Sequence, residues 1–471
     1  MTHKYGSDSK SPSETPLADA LLAAARNDVV SFHALPIGFG AGIEECHLKA
    51  KYHALLGPTL LNHDVTLSSP QLDSFFFPDN AIKEAQSLAA NLYGADETLF
   101  VTAGTTVANQ IAVAAVCQNG TRVLMDKRCH QSLHFAVHAA GSAVTYLEPT
   151  YACEQSGRSH WCLEDLVERV MTAEKNGAPF DTVILTAHSY EGVIYDIPRV
   201  LEYLMTHGAS TRKYIVDEAW GSINYMHPEL RAFAATNVSL LRAQYPDLVV
   251  VVTQSAHKSL NCLRQGSMIH LCGTSEMAEK LKRARFKLHT TSPSYPILAS
   301  LDLACAHMRE SGERLALKAT ALASEFCESF VKDQSLSAFT INHYSHPTKP
   351  WVYAKHDPTK VSVDISRVGL LGRVVRDVLY KEYGVYVNRV TETSLLFNFH
   401  IGVKETAVGR ALQALRAVQA RYREAIDAYS GRFVIAYPPG VPILVPGEPC
   451  LEQAAKMIGD SLRAGTPVFT I

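Results

Sequence analysis

With 471 residues, 47% of them apolar and 19% charged, the chain is long enough for more than one buried core and has the composition of an ordinary globular protein. Its 44 Lys+Arg against 46 Asp+Glu leave a net charge of −2 and no long basic run, which argues against nucleic acid or an anionic membrane as a partner. Ten cysteines without a Cys-x-x-Cys pair, and no apolar stretch long enough to span a bilayer, suggest reduced thiols and a cytoplasmic protein.

Taken in chain order, a polar, Ser-rich tail from Met1 to Glu14 is expected to be disordered. Thr15-Pro16 then reads as an N-cap with proline at the first helical position, and Leu17, Leu21 and Ala24 share one face of the helix. A loop with Pro36, Gly38, Gly40 and Gly42 leads into the main body. From about residue 80, helical spacing (Ile82, Ala85, Leu88, Ala89, Leu92) alternates with short apolar strands at 98–102, 122–125, 183–186, 213–216 and 248–252. Helices around 163–173 and 200–206 separate the later strands. This alternation predicts an α/β fold with a mainly parallel sheet covered on both faces. Past about residue 305 a long helix to about Phe330 is followed by mixed strands and helices, a smaller α+β region. The expected division is 1–60 (tail, helix and loop), 61–304 (large domain) and 305–471 (small domain).

Two strand ends carry the chemistry. Tyr214-Ile215-Val216-Asp217 delivers Asp217 to the carboxyl edge of the sheet, where open α/β sheets bind ligands. Lys258 follows the apolar run Val249 to Val252 in Ser255-Ala256-His257-Lys258 and reaches the same edge. A lysine amine that forms an imine with an aldehyde, and a carboxylate that keeps a pyridine nitrogen protonated, are what pyridoxal 5'-phosphate (PLP) requires. Gly104-Thr105-Thr106 between a strand and an apolar helix suits a phosphate, although threonine is also an ordinary N-cap. His130 lies just past a strand end, where an imidazole can stack on a planar ring. His130, His134 and His138 fall at i, i+4 and i+8, but lack a carboxylate or cysteine partner, so no metal is expected. Glu191-Gly192 offers either another polar edge or only a turn.

These segments together resemble the bacterial ornithine/lysine/arginine decarboxylases, in order from about residue 60 to 450. The core of the match is His-Gln-Ser at 130–132, Ser-Tyr-Glu-Gly at 189–192, Asp-Glu-Ala-Trp at 217–220 and Ser-Ala-His-Lys at 255–258. Thr290-Thr291-Ser292-Pro293-Ser294-Tyr295, Asp357-Pro358-Thr359-Lys360-Val361 and Tyr437-Pro438-Pro439-Gly440 also fit. The resemblance implies a fold-type-I PLP enzyme in which Lys258 carries the cofactor as a Schiff base and Asp217 pairs with the ring nitrogen. His130 and Ala219 would cover the two ring faces, with Thr105, Thr106, Ser255 and His257 around the phosphate and Trp220 shaping the pocket. The segment holding Ser292 would reach a partner's site, implying a homodimer with shared active sites. The chain is similar to the compact branch of the family, without a wing domain before the cofactor domain.

It also departs from that pattern. Leu35-Pro36-Ile37-Gly38 replaces a usual Pro-Gly-His-Lys, Arg264 stands where a small or apolar residue is common, and Asn388 replaces a glutamate. Asn398 and His400 replace Leu and Ser. Arg264, Asn388 and His400 therefore become candidate substrate-selecting residues. The expected reaction is decarboxylation of an L-amino acid to an amine and CO2. Transamination, cyclisation or elimination is the alternative, with Arg264, Arg389 or His400 holding the substrate carboxylate. A PLP-binding regulator is a third reading, but no DNA-binding helix pair is evident.

Overall fold

Seven strands carry the architecture: β1 (Glu97–Val101), β2 (Arg122–Asp126), β3 (Ala143–Leu147), β4 (Thr182–Thr186), β5 (Lys213–Asp217), β6 (Val249–Gln254) and β7 (Ser267–Cys272). The computed structural model describes residues 13–25, 30–66, 72–149, 151–153, 158–342, 353–368, 370–429, 431–446, 448 and 452–471. Within these, the chain divides into two units, one of Met1–Pro149, Trp161–His188 and Tyr195–Glu313, the other of Thr150–His160, Ser189–Ile194 and Arg314–Ile471. Of the tail expected to be disordered, Met1 to Glu14, all but Ser13 and Glu14 lies outside the described residues.

In the first unit the sheet order is β1-β7-β6-β5-β4-β2-β3, with β7 antiparallel to both neighbours and the rest parallel. This is the mainly parallel α/β sheet that the alternating pattern predicts. Every residue of β6 is buried, and the run of valines explains why: a strand covered on both faces needs no polar side. Two strands escaped the sequence reading. β3 is a mostly exposed edge strand, despite its apolar Ala-Val-Thr-Tyr-Leu sequence. β7 is wholly buried but carries His270 in its middle, which interrupts the apolar run.

The helices include α1 (Pro16–Ala24), α2 (Ala81–Tyr93), α3 (Gly104–Val116), α4 (Gln131–Ala139), α5 (Leu163–Lys175), α6 (Ile197–Thr206), α7 (Ala256–Ser259), α8 (Ser275–Leu288) and α9 (Tyr295–Lys332). Proline does open α1, but Thr15 makes no side-chain cap. Instead Asp302 accepts the N–H groups of Leu17 (2.9 Å) and Ala18 (3.1 Å). Asp73 does the same for α2, accepting from Asn80 (2.9 Å) and Ile82 (3.0 Å). Cys162, Asp196 and Thr274 cap α5, α6 and α8 locally. The long helix starts at Tyr295, earlier than the Ala304 region, because Pro296 is tolerated in a first turn.

The second unit holds an antiparallel sheet of β8 (Thr340–Asn342), β9 (Lys360–Asp364), β10 (Arg389–Val390) and β11 (Ser394–Asn398), in the order β8-β9-β11-β10. Phe326, Val361, Val363, Leu379, Leu395 and Phe397 form part of its core. No helix among the described residues is long and apolar enough to cross a membrane.

A polar row crosses the large sheet inside the first unit. Thr98 Oγ1 lies 2.8 Å from His270 Nδ1, His270 Nε2 lies 3.1 Å from Gln254 Oε1, and Gln254 Nε2 donates to Glu218 Oε2 at 2.7 Å. Glu218 Oε1 accepts the Ala235 N–H at 3.1 Å. Gly221 is required beside it, since a Cβ there would sit 2.3 Å from Glu218 Cγ. Burial pushes the Glu218 carboxyl from 4.5 up to about 7, against the two hydrogen bonds that lower it. A raised folded value means that the folded state holds the proton more tightly than the unfolded chain. The resulting stabilisation is complete below about 4.5 and is lost as pH rises through about 7. His270 (pushed down to about 3) and Asp126 (up to about 6), both by burial, titrate in wild type and Glu218→Gln alike, and cancel in the difference. The melting temperature of wild type minus that of Glu218→Gln should therefore fall across this pH window. Parallel melting curves for the two proteins from pH 4.5 to pH 7 would refute the assignment.

Candidate active site

The pairing register sets the site. Asp217, the last residue of β5, lies opposite Thr253 of β6, and Lys258 follows on the short α7. Asp217 is 4% exposed, and both carboxylate oxygens are held. Oδ1 accepts the Ala219 N–H at 3.0 Å, and Oδ2 accepts Asn109 Nδ2 at 3.2 Å. Asn109, on α3, also donates to Ser132 Oγ (3.0 Å) and accepts from the Thr253 hydroxyl (2.6 Å).

Ser132 leads to His130. The Ser132 Oγ is 2.8 Å from His130 Nδ1, which also accepts the Ser132 backbone N–H at 3.2 Å as the N-cap of α4. With Nδ1 accepting, the ring proton sits on Nε2. His130 thus precedes the helix, so His130, His134 and His138 are not three steps of one helical face. His134 instead stacks on Tyr146 with centroids 5.6 Å apart.

Lys258 is half-buried, and that burial lowers its pKa while the nearby Asp217 charge opposes the fall. Its Nζ lies 4.6 Å from the centroid of the Trp220 ring, and Ser259 Oγ donates to the Trp220 carbonyl at 3.1 Å.

At the start of α3, Ala103 makes no side-chain cap, and of the first-turn N–H groups that of Gly104 is taken by the Gln265 carbonyl. Thr105 Oγ1 is 2.6 Å from Ser255 Oγ, both buried, whereas Thr106 is exposed. Gly104 adopts φ +74°, a left-handed backbone suited to glycine, and its N–H donates to Gln265, itself at φ +77°. His257 Nδ1–H donates to the Gly266 carbonyl at 2.9 Å. Burial lowers the His257 pKa, the Gly266 bond opposes this, and the charges of Lys258 and Arg264 add to the lowering. Arg264 and Ser292 are exposed, and the Ser292 N–H donates to Thr290 Oγ1 at 3.1 Å.

The structure thus joins Asp217 and His130 in one hydrogen-bonded group, pairs Thr105 with Ser255, and sets Lys258 against Trp220. Asn388 and His400 belong to the other unit. The Asn388 carbonyl accepts the Tyr190 hydroxyl at 3.2 Å, and His400 Nδ1 accepts the Gly402 N–H at 3.1 Å. There Glu191-Gly192 is a turn, with Gly192 at φ +102°, and Glu191 pairs with Arg389 at 3.3 Å. No group of three His, Cys, Asp or Glu suited to a metal occurs among the described residues.

Sequence reasoning gave no role to Asn109, Ser132 or Thr253. A signal was available for the first: a lone amide on the buried face of α3, among Ala108, Ile111 and Ala112.

Residues 15–407 match the family model described as Orn/Lys/Arg decarboxylase, major domain. An arginine decarboxylase of Bacillus subtilis (strain 168) is 27% identical over 492 residues, covering 97% of this chain and 95% of that protein. Among solved structures, the Francisella novicida lysine decarboxylase has a TM-score of 0.76 at 19% identity, covering 96% of this chain and 79% of that one. The serine palmitoyltransferase of S. paucimobilis with a bound PLP–myriocin aldimine has a TM-score of 0.51 at 16% identity, covering 72% of this chain and 77% of that one. At those identities the two structures speak for the fold, which is that of fold-type-I PLP enzymes. The family match extends over most of the sequence, and the chain belongs to the Orn/Lys/Arg decarboxylase family.

Proposed function

We propose that the protein is a PLP-dependent decarboxylase of an L-amino acid of the arginine, lysine or ornithine type or a modified relative, releasing the amine and CO2. The observation that carries this reading is a half-buried lysine with a lowered pKa beside a buried carboxylate held on both oxygens. A lowered pKa leaves more of the Lys258 amine in the neutral, nucleophilic form. The Asp217 carboxylate would keep a ring nitrogen protonated. His130 and Ala219 would cover the ring faces, and the open N-terminus of α3 with Thr105, Thr106 and Ser255 suits a phosphate dianion. These residues fit PLP, which when bound supplies an electron sink for the pair released as the Cα–carboxylate bond breaks.

The commitments of other residues narrow the chemistry. His257 would donate to a phosphate through Nε2 only as the imidazolium, since its Nδ1–H is held by Gly266. Arg389 is paired with Glu191, which favours decarboxylation over reactions in which Arg389 would grip the substrate carboxylate. The buried thiols of Cys117, Cys272 and Cys305 support a cytoplasmic setting.

Protein purified with PLP should be yellow, and Lys258→Ala should lose the absorbance of the lysine-linked cofactor. Asp217→Ala should still take up PLP yet lose roughly 10²-fold or more in kcat, scored by CO2 release over an amino-acid panel. Near-native turnover in either variant, or keto acid in place of CO2, would overturn the reading.

Arg264, Asn388 and His400 depart from the residues usual in the family, and on that ground the enzyme is expected to prefer an amino acid other than unmodified lysine or ornithine, such as a modified arginine or a less basic side chain. Arg264→Ala should raise KM or change the substrate profile while leaving the cofactor absorbance intact. Efficient turnover of plain lysine or ornithine, unaffected by Arg264→Ala, would sink the idea.

The exposed segment around Ser292 supports a two-fold homodimer with shared active sites as the smallest active unit. Light scattering on the active protein checks this; activity in a monomer contradicts it.

A further inference from the structure

A primary amide buried in an apolar helix face is costly unless both its N–H groups and its carbonyl oxygen find partners. Asn109 is 1% exposed and has all three. Its Oδ1 accepts from Thr253 at 2.6 Å, and its Nδ2 donates to Asp217 at 3.2 Å and to Ser132 at 3.0 Å. The carboxylate decides the orientation of the amide, because the reversed arrangement would set Oδ1 against an acceptor-only oxygen.

That orientation propagates. Since the Ser132 oxygen receives an Asn109 proton, its own hydroxyl proton is directed to His130 Nδ1, 2.8 Å away. The Ser132 backbone N–H reaches the same nitrogen. The donors therefore run in one direction, from Thr253 to Asn109, from Asn109 to Asp217 and to Ser132, and from Ser132 to His130.

We infer that Asn109 is a positioning residue, whose single amide fixes the Asp217 carboxylate and, through Ser132, holds His130 in the Nε2–H tautomer. This deepens the PLP reading and rests on it, since Asp217 and His130 are the groups assigned there to the ring nitrogen and a ring face. A residue that only packs α3 would affect stability and nothing else.

The first readout needs no cofactor. In apo protein labelled with 15N-histidine, with His130 assigned by the signal lost in His130→Gln, the wild type should be mainly Nε2–H. In Asn109→Leu, which keeps volume but cannot donate, the Nε2–H to Nδ1–H ratio should fall about five- to tenfold, the effect of one lost hydrogen bond. Ser132→Ala should lower the same ratio while leaving the Asp217 arm intact, and it carries the test if Asn109→Leu does not fold.

With PLP, Asn109→Leu should bind the cofactor about tenfold more weakly and lose at least about tenfold in kcat, with KM changed less than about threefold. Asn109→Asp should regain activity as pH falls, because a protonated carboxyl restores one donor toward Asp217. An unchanged His130 tautomer ratio in both Asn109→Leu and Ser132→Ala, or a wild-type pH profile in Asn109→Asp, overturns the inference. Failure of the native protein to take up PLP would instead refute the cofactor reading, with the apo tautomer measurement still deciding the role of Asn109.

Discussion

A carboxylate taken out of water must be compensated or it costs several kcal/mol, and the site is organised around meeting that demand at Asp217. The strand itself provides one donor, because the chain turns after β5 and brings the Ala219 N–H back to Oδ1. The other comes from Asn109 on α3, a helix that packs against β5 and β6 and so is bound to the same register. Lys258 sits where it does because β6 pairs with β5 and continues into α7.

Glu218, the next residue, also accepts two N–H bonds, and its carboxyl is pushed up to about 7 because burial outweighs both bonds. Adjacent acids thus face separate networks: Asp217 joins Asn109, Ser132 and His130, and Glu218 joins Gln254 and His270. Alternation along an extended backbone is the reason, since neighbouring side chains leave opposite faces of the sheet. An Asp-Glu pair at this edge is therefore one residue for the site and one for the interior.

What the sequence made legible divides along the same physical line. β2, β4, β5 and β6 were readable because burial demands apolar runs, and the placement of Asp217 and Lys258 at one sheet edge because each follows such a run. β7 was not, since His270 answers to partners on its two neighbouring strands, Thr98 of β1 and Gln254 of β6. His130 was legible as a strand-end residue, but its spacing with His134 and His138 suggested a shared face that the cap geometry removes. Asn109 stayed silent because its meaning lies in Asp217, Ser132 and Thr253, all remote in sequence. Local patterns report burial; they do not report which distant polar group an amide meets.

The helix starts make the final distinction. α1 and α2 are capped by aspartates from elsewhere in the chain, and α5, α6 and α8 by their own preceding residues. Even α4 is capped, by His130 itself. α3 begins with glycine at positive φ after an alanine, and its nearby hydroxyls, Thr105 and Ser255, bond to each other. In this unit α7, after Ser255, shares the lack of a side-chain cap, and at α3 that lack forgoes about 1 kcal/mol of capping stabilisation. This helix start lies beside Ser255, three residues before Lys258. A side-chain cap here would take up N–H groups past Gly104 that an anion would otherwise reach, which is the physical ground for proposing a phosphate at this helix start.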